Sequence, residues 1–225
     1  MTLRPAKLLY QYRGHKQTTA PSVEPVTAAE LRTHLRETAT GLPDTEAEGY
    51  IAEAREYIEE QTGIALITQT WLMALDRWPS GQEPWWSGTR QGAISKLAGP
   101  SREVRLPRYP LQSIDSVTVY DEASNATVVS VAATFDVDTY QTPGRLTLKS
   151  SATWPVALRD TNGVEVSYIS GYGDAATDVP AAIRGAVRRM AGYHYANRGD
   201  GCGVGNAYTM SGAETAMRAY MVARI

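Results

Sequence analysis

A few places in the chain carry residue types that could do chemistry. The first is Gly171-Tyr172-Gly173-Asp174-Ala175-Ala176, which satisfies the loose pattern G-x-G-x-x-A at the end of a strand-like run. In a dinucleotide-binding fold such a loop cradles a pyrophosphate, because its glycines abut a helix N-terminus whose free N–H groups and dipole hold the anion. Here the best helix start is Asp178, several residues beyond Gly173, and Asp174 would set a negative charge beside a bound phosphate. Val164, Val166 and Tyr168 alternate with Glu165 and Ser167, as in an antiparallel strand with one wet face. The first strand of a Rossmann unit is instead a continuous apolar run, followed about 20 residues on by an acidic residue that this chain lacks. The loop is therefore expected to be a junction where a β module rejoins helices.

The second place is Cys202, eight residues after His194, a spacing at which a thiol–imidazole pair is conceivable. Its setting, Arg198-Gly-Asp-Gly-Cys-Gly-Val-Gly-Asn206, positions a nucleophile poorly and supplies no third group to orient the base. The same stretch lacks the lysine and hydroxyl of a P-loop. His15, His34 and His194 are scattered, and no pair has metal-ligand spacing. No catalytic, cofactor-binding or metal-binding residue is assigned. Trp85 and Trp86, in the polar stretch 79–100, are candidates for contact by a loop, either packing against protein or stacking on a ligand.

The 225 residues are 43% hydrophobic and 20% charged, ordinary values for a globular chain. A formal net charge of −2 argues against a general nucleic-acid binder and a membrane-surface protein. A single cysteine allows no intrachain disulfide, which fits a reducing compartment. The opening residues lack the apolar run of a signal peptide, and no apolar stretch reaches the ~18 residues of a membrane span. The expectation is a soluble protein made in the cytoplasm.

The elements that must position any site follow from periodicity and caps. Residues 1–26 read as an extended arm, with Arg4, Lys7, Arg13 and Lys16 ahead of the first acid, Glu24, and with Pro5, Pro21 and Pro25 opposing a helix. Such an arm would lie on a partner or on nucleic acid, or remain a solvated terminus. Thr27-Ala28-Ala29-Glu30 is a capping box opening a short helix to about Glu37, with Leu31 and Leu35 on one face. Asp44 is expected to cap a longer helix to Thr62, stopped by Gly63. Its apolar positions are Tyr50, Ile51, Ala54 and Ile58; opposite them run Glu46, Glu48, Glu53, Glu56, Glu59 and Glu60, relieved only by Arg55. That acidic face is either simply solvated or turned to a basic partner.

From Ile64 the period changes to alternation, with Ile67, Trp71, Met73 and Leu75 on one side of a strand within 66–78. Further strands are expected at 102–106, 113–120, 126–131, 134–139, 144–149 and 163–169, spaced as in an antiparallel module. Helix returns with Asp178 as N-cap and Ile183, Val187, Met190 and His194 on one face, Arg184, Arg188 and Arg189 lying largely off it. Ser211-Gly212-Ala213-Glu214 suggests another capping box and a short C-terminal helix. The fold class is thus α+β. A helical bundle from 27–63 and 174–225 carries an antiparallel β-rich insertion, 64–173, behind the arm 1–26.

Taken in order, "ALITQTWLMALDRWP" (65–79), "VRLPRYPLQSIDSVTVYD" (104–121) and "VSYISGYGDAATDVPAAIRGAVRRMAGYHYANRG" (166–199), behind the helix "AAELRTHLR" (28–36), resemble the head–tail connector, or adaptor, proteins of tailed bacteriophages and gene transfer agents. The resemblance spans about Pro25 to Gly199; the 79–100 loop is longer than the family pattern and the stretch after 199 matches nothing firmly.

The resemblance implies a structural, non-enzymatic virion protein without cofactors. It would form a homo-oligomeric ring under the portal protein, of twelve subunits to match the portal. The ring would receive the next connector (the stopper) or a tail component, and extend the channel through which DNA passes without sequence-specific binding. It also implies a place at the head–tail junction, away from any membrane. A ring needs head-to-tail contacts between two different faces of the subunit. Candidates are the acidic face with Glu53, Glu56 and Glu60 and the basic one with Arg184, Arg188 and Arg189, which could equally pair within one subunit. The C-terminal segment, through Met217, Tyr220, Met221 and Ile225, is the candidate portal contact, with packing on its own bundle as the alternative. The runner-up function is a virion-associated binding module whose β insertion and Trp85/Trp86 recognise a glycan or another virion protein.

Overall fold

A computed structural model of the chain describes residues 12–79, 102–156, 159–198 and 207–221. The alternating stretches become strands. β2 (Gln69–Leu75) and β8 (Val164–Ser170) bury every second side chain from end to end and pair antiparallel from Gln69↔Ser170 to Leu75↔Val164. Around them the five-stranded sheet runs β1-β2-β8-β4-β5, with β1 at Tyr12–Thr19, β4 at Leu111–Tyr120 and β5 at Ala126–Val129. A three-stranded sheet, β3-β7-β6, is built from Glu103–Arg105, Arg145–Leu148 and Phe135–Asp138. The expected strands are therefore present with shifted ends: β2 is shorter at both ends, while β4 starts earlier and β8 ends later than expected. Between β5 and β6, Ser130 caps one helical turn, α3 (Val131–Thr134), through its hydroxyl and the Ala133 N–H. Met73, Leu106, Val117, Leu146, Val166 and Tyr168 are buried together as the β core. Trp78 closes it, stacked on Trp154 at 4.6 Å and tilted against Phe135 at 5.6 Å.

Part of the expected arm is not free. Tyr12–Thr19 forms β1 at the sheet edge, registered on β2 from Tyr12↔Leu75 to Thr19↔Thr70. The reason is local: β2 offers an unpaired row of N–H and C=O groups, and His15 lies flat on the Trp71 indole, centroids 4.5 Å apart and planes 8° from parallel.

The helices form the other core. α1 (Ala28–Leu35) opens on the expected box: the Thr27 hydroxyl accepts the Glu30 N–H, and the Glu30 carboxylate accepts the Thr27 N–H at 2.9 Å. α2 (Asp44–Thr62) starts with Pro43 as N-cap. Asp44 is not the cap; it is the first helical residue, and its carboxylate is held by Arg32 at 2.5 Å. Gly63 ends α2 at φ 82, the left-handed conformation that glycine tolerates.

α4 (Ala181–Ala196) likewise takes Pro180 as its N-cap. Asp178 instead closes a 3-10 turn, Ala176–Asp178, by accepting the Ala175 N–H at 3.0 Å. Further along the chain come α5 (Ala207–Met210) and α6 (Ala213–Met217). The expected second capping box does not form: Gly212 has no hydroxyl, and the Glu214 carboxylate takes the Thr209 hydroxyl at 2.7 Å. Leu31, Leu42, Ile51, Ile58, Ile183, Val187, Met190 and Met217 are buried together, so helices from both ends of the chain share one core.

Candidate assembly surfaces

The two cores meet along a polar seam. Toward its end α2 buries Arg55 and Glu59, whose side chains are each 7% exposed and lie 3.1 Å apart. The Glu59 carboxylate also accepts the Leu66 N–H at 2.8 Å and the Gln69 side chain at 2.6 Å. Gln69 in turn accepts from Gln17 on β1 at 2.6 Å, and Arg55 donates to Glu24 at 2.8 Å. Arg108 donates to the Glu59 carbonyl and to the Glu60 carboxylate, each at 2.6 Å, while its guanidinium lies 4.4 Å from the Trp71 ring centre. Burial pushes the Glu59 carboxyl up, but every contact above to its side chain comes from a donor, so the carboxylate is the form that fits. The solvated acidic face expected of α2 is thus wrong at Glu59 and Arg55. The signal was available, since 47, 51, 54, 55, 58, 59 and 62 form one helical stripe and all are buried.

The Gly-Tyr-Gly loop is spent on structure. A Cβ at Gly171 would lie 2.6 Å from the Ile67 carbonyl, and one at Gly173 would lie 2.2 Å from the Asp178 carboxylate. The Gly171 and Tyr172 N–H groups donate to the carbonyls of Pro110 and Leu66, at 3.0 and 3.3 Å. A carboxylate and committed N–H groups stand where a phosphate would need free donors. Among the described residues, no group of three or more His, Cys, Asp or Glu could hold a metal ion. His15 bonds the Tyr168 hydroxyl through Nε2 at 2.8 Å, and burial together with Arg108 pushes its pKa down to about 4. Cys202, Trp85, Trp86 and Ile225 lie outside the described residues.

The candidate contact residues divide by whether the chain already uses them. Arg184 donates to the Pro25 carbonyl at 2.9 Å and pairs with Glu30, tying α4 to α1; it is not a free cation. Glu53 faces His194 at 3.3 Å, Glu56 faces Arg55 at 3.3 Å and Glu60 faces Arg108 at 2.6 Å, with the carboxylate side chains 58%, 71% and 75% exposed. Arg188 is half-buried and Arg189 exposed, and among the described residues neither has an ion-pair partner. Met217 is fully buried in the chain's own bundle, which removes it from the expected outward-facing set. Tyr220 and Met221 are half-buried and line a groove of ≈ 400 Å³ with Tyr109, Pro110, Thr142, Tyr172 and Ala219. Burial pushes the Tyr172 hydroxyl up to about 12.

Fold and surface together define an α+β protein with two cores, a polar seam between them, and charged outer helix faces. No family model and no curated protein matches the chain. Solved structures do. At 22% identity the fold is similar to that of a chain in the neck of an empty GTA particle computed with C6 symmetry, covering 94% of this chain and 97% of that one with a TM-score of 0.70. It is also similar, at 22% identity, to a chain in the virion of a native gene transfer agent (GTA) particle, covering 94% and 96% with a TM-score of 0.69. A chain in the neck of a native GTA particle computed with C12 symmetry gives a TM-score of 0.66 at the same identity.

Proposed function

We propose that the protein is a structural neck component, a connector subunit at the head–tail junction of a gene transfer agent or tailed-phage particle. The observation that carries this is whole-chain likeness of fold: 94% of this chain overlays 97% of a neck chain, so both the helical and the β parts are shared. The helical part, 27–63 and 174–225, serves as the connector body and 64–173 as its insertion. In this reading copies of the chain form a ring, twelve to match a portal, that binds the portal protein on one side and the next connector or tail component on the other. DNA passes through the ring, and the protein performs no catalysis. The portal contact moves from Met217 to what remains accessible beside it, Tyr220 and Met221; Ile225, outside the described residues, stays a candidate from the sequence.

Electron microscopy of particles from a strain lacking the gene tests this. DNA-filled heads beside separate, complete tails are expected. Intact tailed particles would overturn it.

A further inference from the structure

The charged residues that the fold leaves over form two complementary helix faces. On α2, Arg32, Arg198, His194, Arg55 and Arg108 occupy the carboxylates of Asp44, Glu46, Glu53, Glu59 and Glu60. Glu48 is exposed and, among the described residues, has no ion-pair partner; Glu56 has only the already shared Arg55 and is 71% exposed. Between them lie Gly49 and Ala52. On α4 the helix contains no acidic residue at all, and Arg184 is committed to Glu30. That leaves Arg188 and Arg189, preceded on the outer side by the exposed Ala181 and Ala182 and by Gly185.

Nothing in the described part of the chain explains the two glycines. Among the described residues, a Cβ at Gly49 would meet nothing within 4 Å, and one at Gly185 only the tip of Arg189 at 3.7 Å. Neither has the positive φ that would demand glycine. A glycine inside a helix is destabilising relative to alanine. Gly49, exposed with open space above it, and the half-buried Gly185, covered only by the end of a flexible arginine among the described residues, fit faces against which another helix packs closely, within the ~8–10 Å interaxial range that side-chain size sets.

We infer that the outer face of α2, centred on Glu48, Gly49, Ala52 and Glu56, packs against the outer face of α4, centred on Gly185, Arg188 and Arg189, of a second copy of this chain. The occupant is a second copy because each face carries the charge the other lacks, and both belong to the same chain. The contact joins two different faces, so it propagates head to tail and closes into a ring when the rotation allows. This inference rests on the ring reading above and gives it a specific interface.

The test uses assembled particles carrying Gly49→Cys with Gly185→Cys in a Cys202→Ser background, treated with a short bismaleimide. A ladder of cross-linked multimers from the double variant, with monomer from each single variant, is the expected result. Dimers from either single variant would overturn the inference, because they mark a contact of like faces. No ladder, while microscopy still shows a ring of this protein in the neck, would overturn the interface and leave the ring standing; absence of the protein from the neck would overturn both. A charge swap checks the same contact without cysteines. Arg188→Glu/Arg189→Glu and Glu48→Lys/Glu56→Lys should each cut the yield of tailed particles by at least about tenfold, and their combination should restore it. Failure of the combination to restore yield, with each variant folded by circular dichroism, would count against the pairing.

Discussion

The two ends of α2 put the same side chain to opposite uses. Near its C-terminus Glu59 is buried against Arg55, Gln69 and the Leu66 N–H, and holds the helical core to the sheet. Near its N-terminus Glu48 stands in solvent with no partner among the described residues. Acidity alone therefore says little about function. What matters is whether the neutralising partner lies in the same chain, and the structure answers that residue by residue.

The largest effect is expected at the seam. Arg55→Ala leaves Glu59 buried without its cation, and truncating one partner of a buried pair costs about 3–5 kcal/mol. Urea unfolding should show a loss of that size; a loss below about 1 kcal/mol would mean that the seam is as wet as the outer face. Next comes the C-terminal helix. Met217→Ala removes a fully buried side chain from the helical core and should destabilise by about 2–5 kcal/mol, which a surface methionine would not.

His15 supplies a pH test of the seam's β side. Its folded pKa of about 4 lies below the ordinary 6.5, so the folded state prefers the neutral ring. The stability this contributes is fully present above pH 6.5 and is lost as pH falls through 4. His15→Gln should flatten the stability–pH profile between those limits by at most about 3 kcal/mol. Matching slopes for the two proteins would place His15 in solvent.

The smallest effect belongs to the outer face. Gly49→Ala should stabilise the isolated chain by about 0.5–1 kcal/mol, since among the described residues nothing surrounds the new methyl group. A destabilised variant would show that Gly49 already has a neighbour within the chain.

Much of this architecture is legible in the amino-acid sequence. Thr27 and Glu30 announce their capping box because the interaction spans three residues, and Gly63 announces its helix stop because only glycine enters the left-handed region freely. The alternation in β2 and β8 survives intact because both strands bury one face along their whole length. Local signals fail where a competing local arrangement is just as good. Asp44 and Asp178 look like caps, yet Pro43 and Pro180 take those positions, and the carboxylates go to Arg32 and to the Ala175 N–H. The candidate contact residues are legible only as sets of like charge; nothing separates Arg184 from Arg188 and Arg189 until the fold brings Glu30 beside it.

Sequence by itself determined the three longer helices and the alternating strands after Ile64, and it argued against a phosphate loop at Gly171–Gly173. Those properties depend on periods of two or 3.6 residues and on caps that reach only a few residues. Only the tertiary structure decided that residues 12–19 complete a sheet, that Glu59 is buried while Glu48 is open, and that Met217 faces inward. Each of these depends on groups distant along the chain, such as Gln17 meeting Gln69 or α6 meeting α4, and no local pattern encodes which of many equivalent partners the fold brings near.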